Sequence, residues 1–337
     1  MKTYHLALLG FGNVGRALAR LLSDKAAEVR ERYNLDYTIT GLAARRLGWL
    51  ADPAGLDIDA ALAGRAAGTP WDQGDIRTWL TAAQADVLFE NTSLNPQTGQ
   101  PAIDYLKAGL EHGAHVITAN KGPVVHAHAE LSALAKSKGR RFLHEAAVMG
   151  GTPIFSLFRE ALPGVQLRRF RGILNSTTNL ILSEMEQGLS FEAAVKKAQD
   201  LGIAETDPSA DVDGWDAAVK VSALATVLMG VPVKPQDVNP IGISALTGGQ
   251  VRAARAAGRP FKLVCQAEKT DDGRVTASVR PEQVDAADPL ANVNGPDSIV
   301  TFEMDMLYSL TISEQRPDAV TTAYGPFADF LTAVTHP

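Results

Sequence analysis

The sequence predicts an α/β chain in which an N-terminal Rossmann-type doubly wound parallel sheet precedes an α+β domain with an open sheet. Three observations carry this. Short apolar runs alternate with helical patterns through the first half, as βαβ units require. A glycine fingerprint, Gly10-Phe11-Gly12-Asn13-Val14-Gly15, stands between the first such run and the first helical pattern. Beyond Gly150 the strands gather toward the end of the chain instead of alternating with helices.

In order, strands are expected at 4–9, 37–43, 87–90 and 115–118, with helices at 14–30, 103–111 and 127–138. Residues 45–69 are rich in Ala, Gly and Asp, show little periodicity, and carry no assignment. The second half predicts a helix at 153–162, a strand at 167–174, and helices at 179–187, 191–201 and 213–229. Strands follow near 261–268, 275–279 and 299–304, and an amphipathic helix at 319–334 is expected to pack back on the first domain. This divides the chain into 1–147, 148–315 and a returning segment 316–337. No repeat or low-complexity tract interrupts it.

Composition narrows the function. With 337 residues, 45% hydrophobic and 21% charged, the chain is an ordinary globular protein of about two domains. A net charge of −6 gives no electrostatic reason to bind nucleic acid or an anionic membrane, so a small molecule is the expected partner. The single cysteine, Cys265, sits among Phe261, Leu263 and Val264 and reads as a buried small hydrophobe, consistent with a reducing compartment. The N-terminal apolar run breaks at Gly10, unlike a signal peptide, and no run reaches the ~20 residues of a membrane span. A cytoplasmic location is expected.

The glycine spacing has a chemical reason. Gly10 permits a tight turn, Gly12 lets a pyrophosphate approach the backbone, Gly15 allows close helix–sheet packing, and the helix N-terminus offers free N–H groups. Phe11, Asn13 and Val14 complete that loop. The second strand runs into Ala44-Arg45-Arg46 without the Asp or Glu that grips a ribose 2′-hydroxyl. Arg45 there suits a 2′-phosphate, which favours NADP over NAD. Asn91-Thr92-Ser93 and Thr118-Ala119-Asn120-Lys121 follow predicted parallel strands, where open α/β sheets bind ligands.

Residues 198–220 hold Glu205, Asp207, Asp211, Asp213 and Asp216, with Lys220 four after Asp216. On a helix, Asp216 and Lys220 share one face. Such a pair on an exposed helix contributes little. Here Ala217, Ala218, Val219, Val221, Ala223, Leu224 and Ala225 make the helix apolar nearly all round, hence buried, and a lysine and an aspartate at its mouth call for a purpose.

This segment resembles the signature of the homoserine dehydrogenase family, which runs A-x3-G, Asp-Pro, D-x2-G-x-D-x3-K, through Gly202, Asp207-Pro208, Asp211, Gly214, Asp216 and Lys220. The 172–179 stretch, with Asn175, Thr177 and Asn179, is similar to that family's G-I-x-N-G-T-x-N run, 118–121 to its T-x-N-K loop, and 144–148 to the segment joining its domains.

The resemblance implies an NAD(P)-dependent oxidoreductase that interconverts L-homoserine and L-aspartate 4-semialdehyde, in threonine and methionine biosynthesis. Glu205 and Asp211 would hold the substrate ammonium, with Asn175 and Thr177 beside them. Lys220 would be the acid/base oriented by Asp216, and Lys121 a second donor or alternative base. The resemblance also implies a sodium or potassium ion held by backbone carbonyls of Glu145, Val148, Gly150 and Thr152, and a homodimer formed through the second sheet. The chain departs from the family at Met149, at Ser176 in place of glycine, and at 313–319, where Ser-Glu-Gln-Arg-Pro-Asp-Ala replaces a Gly-rich run. The length after 319 suggests no appended ligand-sensing domain. Two other readings stand beside this one: a related dehydrogenase with another amino acid or aldehyde as substrate, and a cofactor-binding protein without turnover.

Overall fold

The computed structural model describes residues 1–335, which form two compact units: Met1–Pro153 with the last helix, and Ile154–Asp318. In the first unit six strands lie in the order β3-β2-β1-β4-β5-β6. They are β1 (Lys2–Leu9), β2 (Leu35–Ala44), β3 (Gly48–Ala51), β4 (Val87–Glu90), β5 (His115–Thr118) and β6 (Phe142–Leu143). All neighbours are parallel except the hairpin of β2 with β3. The central strands are buried on both faces, which is why β4 reads as an unbroken apolar run ending in Glu90.

The connecting helices are α1 (Asn13–Tyr33), α2 (Ile58–Leu62), α3 (Ile76–Ala82), α4 (Ala102–His112) and α5 (Lys121–Ser137). The unassigned 45–69 region becomes the antiparallel edge hairpin and α2. Its order rests on Trp49, whose Nε1 donates to Trp71 O at 3.0 Å and whose ring stacks on Trp71 at 4.5 Å. Such distant partners leave no periodic trace.

The last helix belongs to this unit. Phe330 sets its ring edge-on to Tyr4, Tyr37 and Phe89 at 6.2, 5.4 and 6.2 Å. The helix runs Ala319–Thr335; the end of the expected 316–337 segment, His336 and Pro337, lies outside the described residues. Residues 148–153 also group with the first unit, which moves the division from the expected 147/148 to 153/154. The cause is contact with that helix: Glu145 N–H donates to the Asp329 carboxylate at 2.7 Å, and a Cβ on Gly151 would lie 2.3 Å from Thr321 O.

The second unit holds a five-stranded antiparallel sheet in the order β11-β10-β7-β8-β9. Its strands are β7 (Leu167–Ile173), β8 (Phe261–Lys269), β9 (Val275–Gln283), β10 (Ser298–Met304) and β11 (Ser309–Glu314). Its helices are α6 (Ser176–Glu186), α7 (Phe191–Asp200), α8 (Ser209–Val212), α9 (Trp215–Leu228), α10 (Pro235–Val238) and α11 (Gly248–Ala256), so the helix closing the first unit is α12. The expected helix at 153–162 is shortened to 155–161 and widens over Leu157–Ala161, where Leu162 N–H closes on Leu157 O at 3.0 Å. Pro153 supplies no N–H there. The expected helix at 213–229 begins two residues later, because Gly214 takes φ +84° and separates α8 from α9.

Gly10 combines a left-handed backbone with a close approach: its φ is +93°, and an added Cβ would lie 2.4 Å from Asn91 O. Gly10→Ala is therefore expected to lower unfolding stability by about 2–4 kcal/mol, from backbone strain and displacement of the β4 loop together. Urea denaturation checks this, and a change under about 0.5 kcal/mol would show that the loops relax freely.

Candidate active site

In the first unit the glycine loop opens α1 at the switch point between β1 and β4, where the sheet order reverses. Gly10 N–H donates to Ala43 O at 2.8 Å and Asn91 N–H to Leu9 O at 2.7 Å, which draws the loops after β1, β2 and β4 together. A Cβ on Gly15 would meet Gly10 O at 2.1 Å, whereas one on Gly12 would meet nothing within 4 Å. Gly15 is thus required by packing, and Gly12 leaves open space. No side chain caps the α1 N-terminus and no acidic residue sits in its first turn, so its free N–H groups suit an anion. Asn91 adds a second feature: both polar atoms of its side chain are buried without a partner among the described residues. These features fit a dinucleotide.

Other predicted cofactor residues surround that crevice. Arg45 is exposed on the β2–β3 turn, two residues past the Ala43 carbonyl that binds Gly10. Thr92 and Ser93 follow β4, and their carbonyls lie 3.3 and 3.5 Å from the Asn120 side-chain amide. Asn120 also caps α5, its Oδ1 accepting from Gly122 N–H at 3.0 Å, which sets Lys121 as the first residue of that helix. Glu145, Val148 and Thr152 are buried in the turn leading out of this unit, where Met149 and Gly150 both take φ +54°.

In the second unit the carboxylate and lysine cluster is organised by Asn175, the N-cap of α6. Its Oδ1 accepts from Thr178 N–H at 2.8 Å, which fixes the amide plane. Its Nδ2 then donates to Asp211 at 2.6 Å and to Asp216 at 2.9 Å. Lys220 Nζ reaches Asp216 at 2.9 Å and Leu174 O at 2.7 Å. An ammonium has three donors, so one remains for a substrate oxygen. Thr177 is buried and donates to Ile203 O at 3.2 Å.

The charges shift one another. Burial pushes Asp211 up, Asp216 beside it adds to that, and Asn175 pulls back. Burial pulls Lys220 down, but Asp216, by charge and hydrogen bond, and Asp211, by charge, leave it above the usual lysine value. Without substrate the lysine is therefore a proton donor.

Glu205 stays apart: its side chain is exposed, and its backbone carbonyl accepts from Gln199 Nε2 at 3.2 Å. Asp207 and Asp213 are also exposed, bonded to Ser209 N–H and Ser244 Oγ, each at 3.0 Å. Two carboxylates escaped sequence reasoning. Glu314 ends β11 within the electrostatic reach of Lys220, and burial pushes it up to about 7. Glu90 is wholly buried at the end of β4. A signal for Glu90 was available, since a carboxylate closing an all-apolar strand needs partners.

A family model described as "Homoserine dehydrogenase" matches residues 153–331, and one described as "Homoserine dehydrogenase, NAD binding domain" matches residues 10–145. An NAD(+)-dependent homoserine dehydrogenase of Pseudomonas canavaninivorans is 37% identical, over 98% of this chain and 96% of its own. The solved structure of a putative homoserine dehydrogenase from Archaeoglobus fulgidus superposes with a TM-score of 0.85 at 30% identity, covering 98% of both chains. A hyperthermophilic archaeal homoserine dehydrogenase mutant solved with NADPH gives a TM-score of 0.80 at 26% identity, covering 99% of this chain and 98% of the other. The chain belongs to the homoserine dehydrogenase family of NAD(P)-dependent oxidoreductases.

Proposed function

We propose that the chain interconverts L-homoserine and L-aspartate 4-semialdehyde with Lys220 as the acid/base, Asp216 orienting it, and Asp211 and Asn175 at the substrate ammonium. The observation that carries this is the Asn175–Asp211–Asp216–Lys220 network at the mouth of the buried helix α9. The cofactor supplies the hydride acceptor when bound at the glycine loop. With Leu174 O and Asp216 holding two of its protons, Lys220 offers the third to an aldehyde oxygen in the reducing direction. In the oxidising direction it must first be neutral. A substrate ammonium on Asp211 offsets one of the charges that raise Lys220, so binding of homoserine itself eases loss of that proton. Glu205, Thr177 and Lys121 complete the assignment, Glu205 by approach of its exposed chain to the ammonium and Lys121 from the α5 N-terminus.

NADP is the assigned cofactor, held at the glycine loop with Asn91, Thr92 and Ser93 beside it; Arg45 on its exposed turn supports the 2′-phosphate. A monovalent cation at the carbonyls of Glu145, Val148, Gly150 and Thr152 belongs to the same reading, supported by the left-handed turn at buried Met149 and half-buried Gly150. A homodimer through the second sheet is supported by a line of polar side chains across three of its strands, Arg169 to Gln266 at 3.4 Å and Gln266 to Ser278 at 3.1 Å.

Lys220→Ala is expected to lower homoserine-dependent kcat/KM by 10²–10⁴ or more at 340 nm while reduced-cofactor binding persists; a loss under tenfold would move the acid/base role to Lys121. Arg45→Ala should raise KM for NADP about tenfold or more and leave KM for NAD unchanged. Equal effects on both would remove the 2′-phosphate contact. Because Gly12 has open space before it, Gly12→Ala should keep the wild-type melting temperature within a few degrees yet weaken binding of both cofactors. Unchanged titrations of reduced cofactor would place the pyrophosphate elsewhere.

A further inference from the structure

Glu90 is fully buried at the carboxyl end of β4, paired in register with Leu9 of β1 and Thr118 of β5. Every partner of its carboxylate is a neutral donor. One oxygen accepts from Thr92 N–H at 2.8 Å and Thr92 Oγ at 2.5 Å, and the other from Thr118 Oγ1 at 2.6 Å. Thr118 Oγ1 in turn accepts from Asn120 N–H at 2.9 Å, which frees its own proton for Glu90. A carboxylate that only accepts, from three donors, is suited to its ionised form. Burial pushes this carboxyl above its ordinary value, and the hydroxyls and amides around it offset that only in part, so its charge rests on those donors staying in place. Asn91, the next residue, carries the orphaned side chain at the switch point.

A buried anion with neutral partners projects its field into the crevice with little screening. The two forms of a nicotinamide cofactor differ in one respect that such a field can read: the oxidised ring is a cation and the reduced ring is neutral. Their pyrophosphate and adenosine are the same, so those contacts cancel when the two forms are compared. We infer that Glu90 is a redox-state discriminator, a positioning carboxylate under the cofactor crevice that favours the oxidised over the reduced cofactor through its charge. Binding energy spent this way acts on the hydride-transfer equilibrium of the bound reactants and favours retention of the cofactor form that oxidises an alcohol.

This rests on the cofactor site proposed above, and the test separates the two. Dissociation constants for NADP and NADPH are measured on the wild type and on Glu90→Gln, by calorimetry for the oxidised form and by fluorescence titration for the reduced form. The expected result is that the ratio of the oxidised to the reduced constant rises about tenfold in Glu90→Gln, with the reduced form bound nearly as before. Equal weakening of both forms would mean that Glu90 only props the loops, and an unchanged ratio overturns the inference. Glu90→Ala also removes the charge and gives the same displaced ratio should Gln at this position impair folding. If the wild type binds neither form, the cofactor site fails and this inference with it.

Discussion

The second unit depends on keeping two carboxylates side by side. Asp211 and Asp216 repel each other and are largely removed from water, a costly arrangement unless donors stand between them. The Asn175 amide supplies both bonds from a single nitrogen, and it can do so because its oxygen is already committed to the N-terminus of α6. That commitment ties the end of β7, the start of α6 and the mouth of α9 into one rigid group. Lys220 completes it from the facing turn of α9, held by Leu174 O. A cluster of this kind carries little net stability, since most of its attraction offsets desolvation. Its value is geometric: each group has one allowed position.

The first unit solves a related problem at the ends of its parallel strands. Three loops converge where β1 and β4 separate, and they approach so closely that only glycine fits at positions 10 and 15. Gly12 differs, because none of the described residues lies within 4 Å of a Cβ placed there. Below this crevice Glu90 is bound by the loops after β4 and β5, much as Asn175 is bound in the other unit. In both places a polar side chain at a strand end is satisfied by neighbouring loops before any ligand arrives. That preorganisation lets a site hold charge where the reaction needs it.

Much of this was legible in the chain itself. β4 and β5 fall at 87–90 and 115–118 as expected, because a strand buried on both faces is a continuous apolar run bounded by polar residues. The pair Asp216 and Lys220 was equally plain, since helical spacing alone sets the two on one face. The failures have a common cause. The 153–162 segment has helical periodicity but starts at a proline, and its helix covers only 155–161 and widens at Leu157–Ala161. The β2–β3 hairpin depends on Trp49 meeting Trp71, which no local pattern reveals. β11 is a short edge strand with no fully buried residue, so its end at Glu314, near Lys220, was invisible. Glu205 shows the opposite limit: a motif places it in the site, while the fold leaves its side chain in solvent.

The sequence by itself determined the strands and helices that frame the two sites, where the cofactor loop lies, and which aspartate and lysine share a helix face. Those features are local, set by backbone freedom, periodicity and residue chemistry within a few turns. Only the tertiary structure decided that Asn175 bridges Asp211 to Asp216, that Leu174 O holds Lys220, and that Glu90 sits beneath the crevice surrounded by neutral donors. Apart from the bonds of Thr92, two residues from Glu90, these contacts join residues 28 to 46 positions apart, and they exist because strand pairing and helix packing bring them within hydrogen-bond range. The charge state of each group follows from that encounter, since burial and partner together set what a carboxylate or an amine will hold.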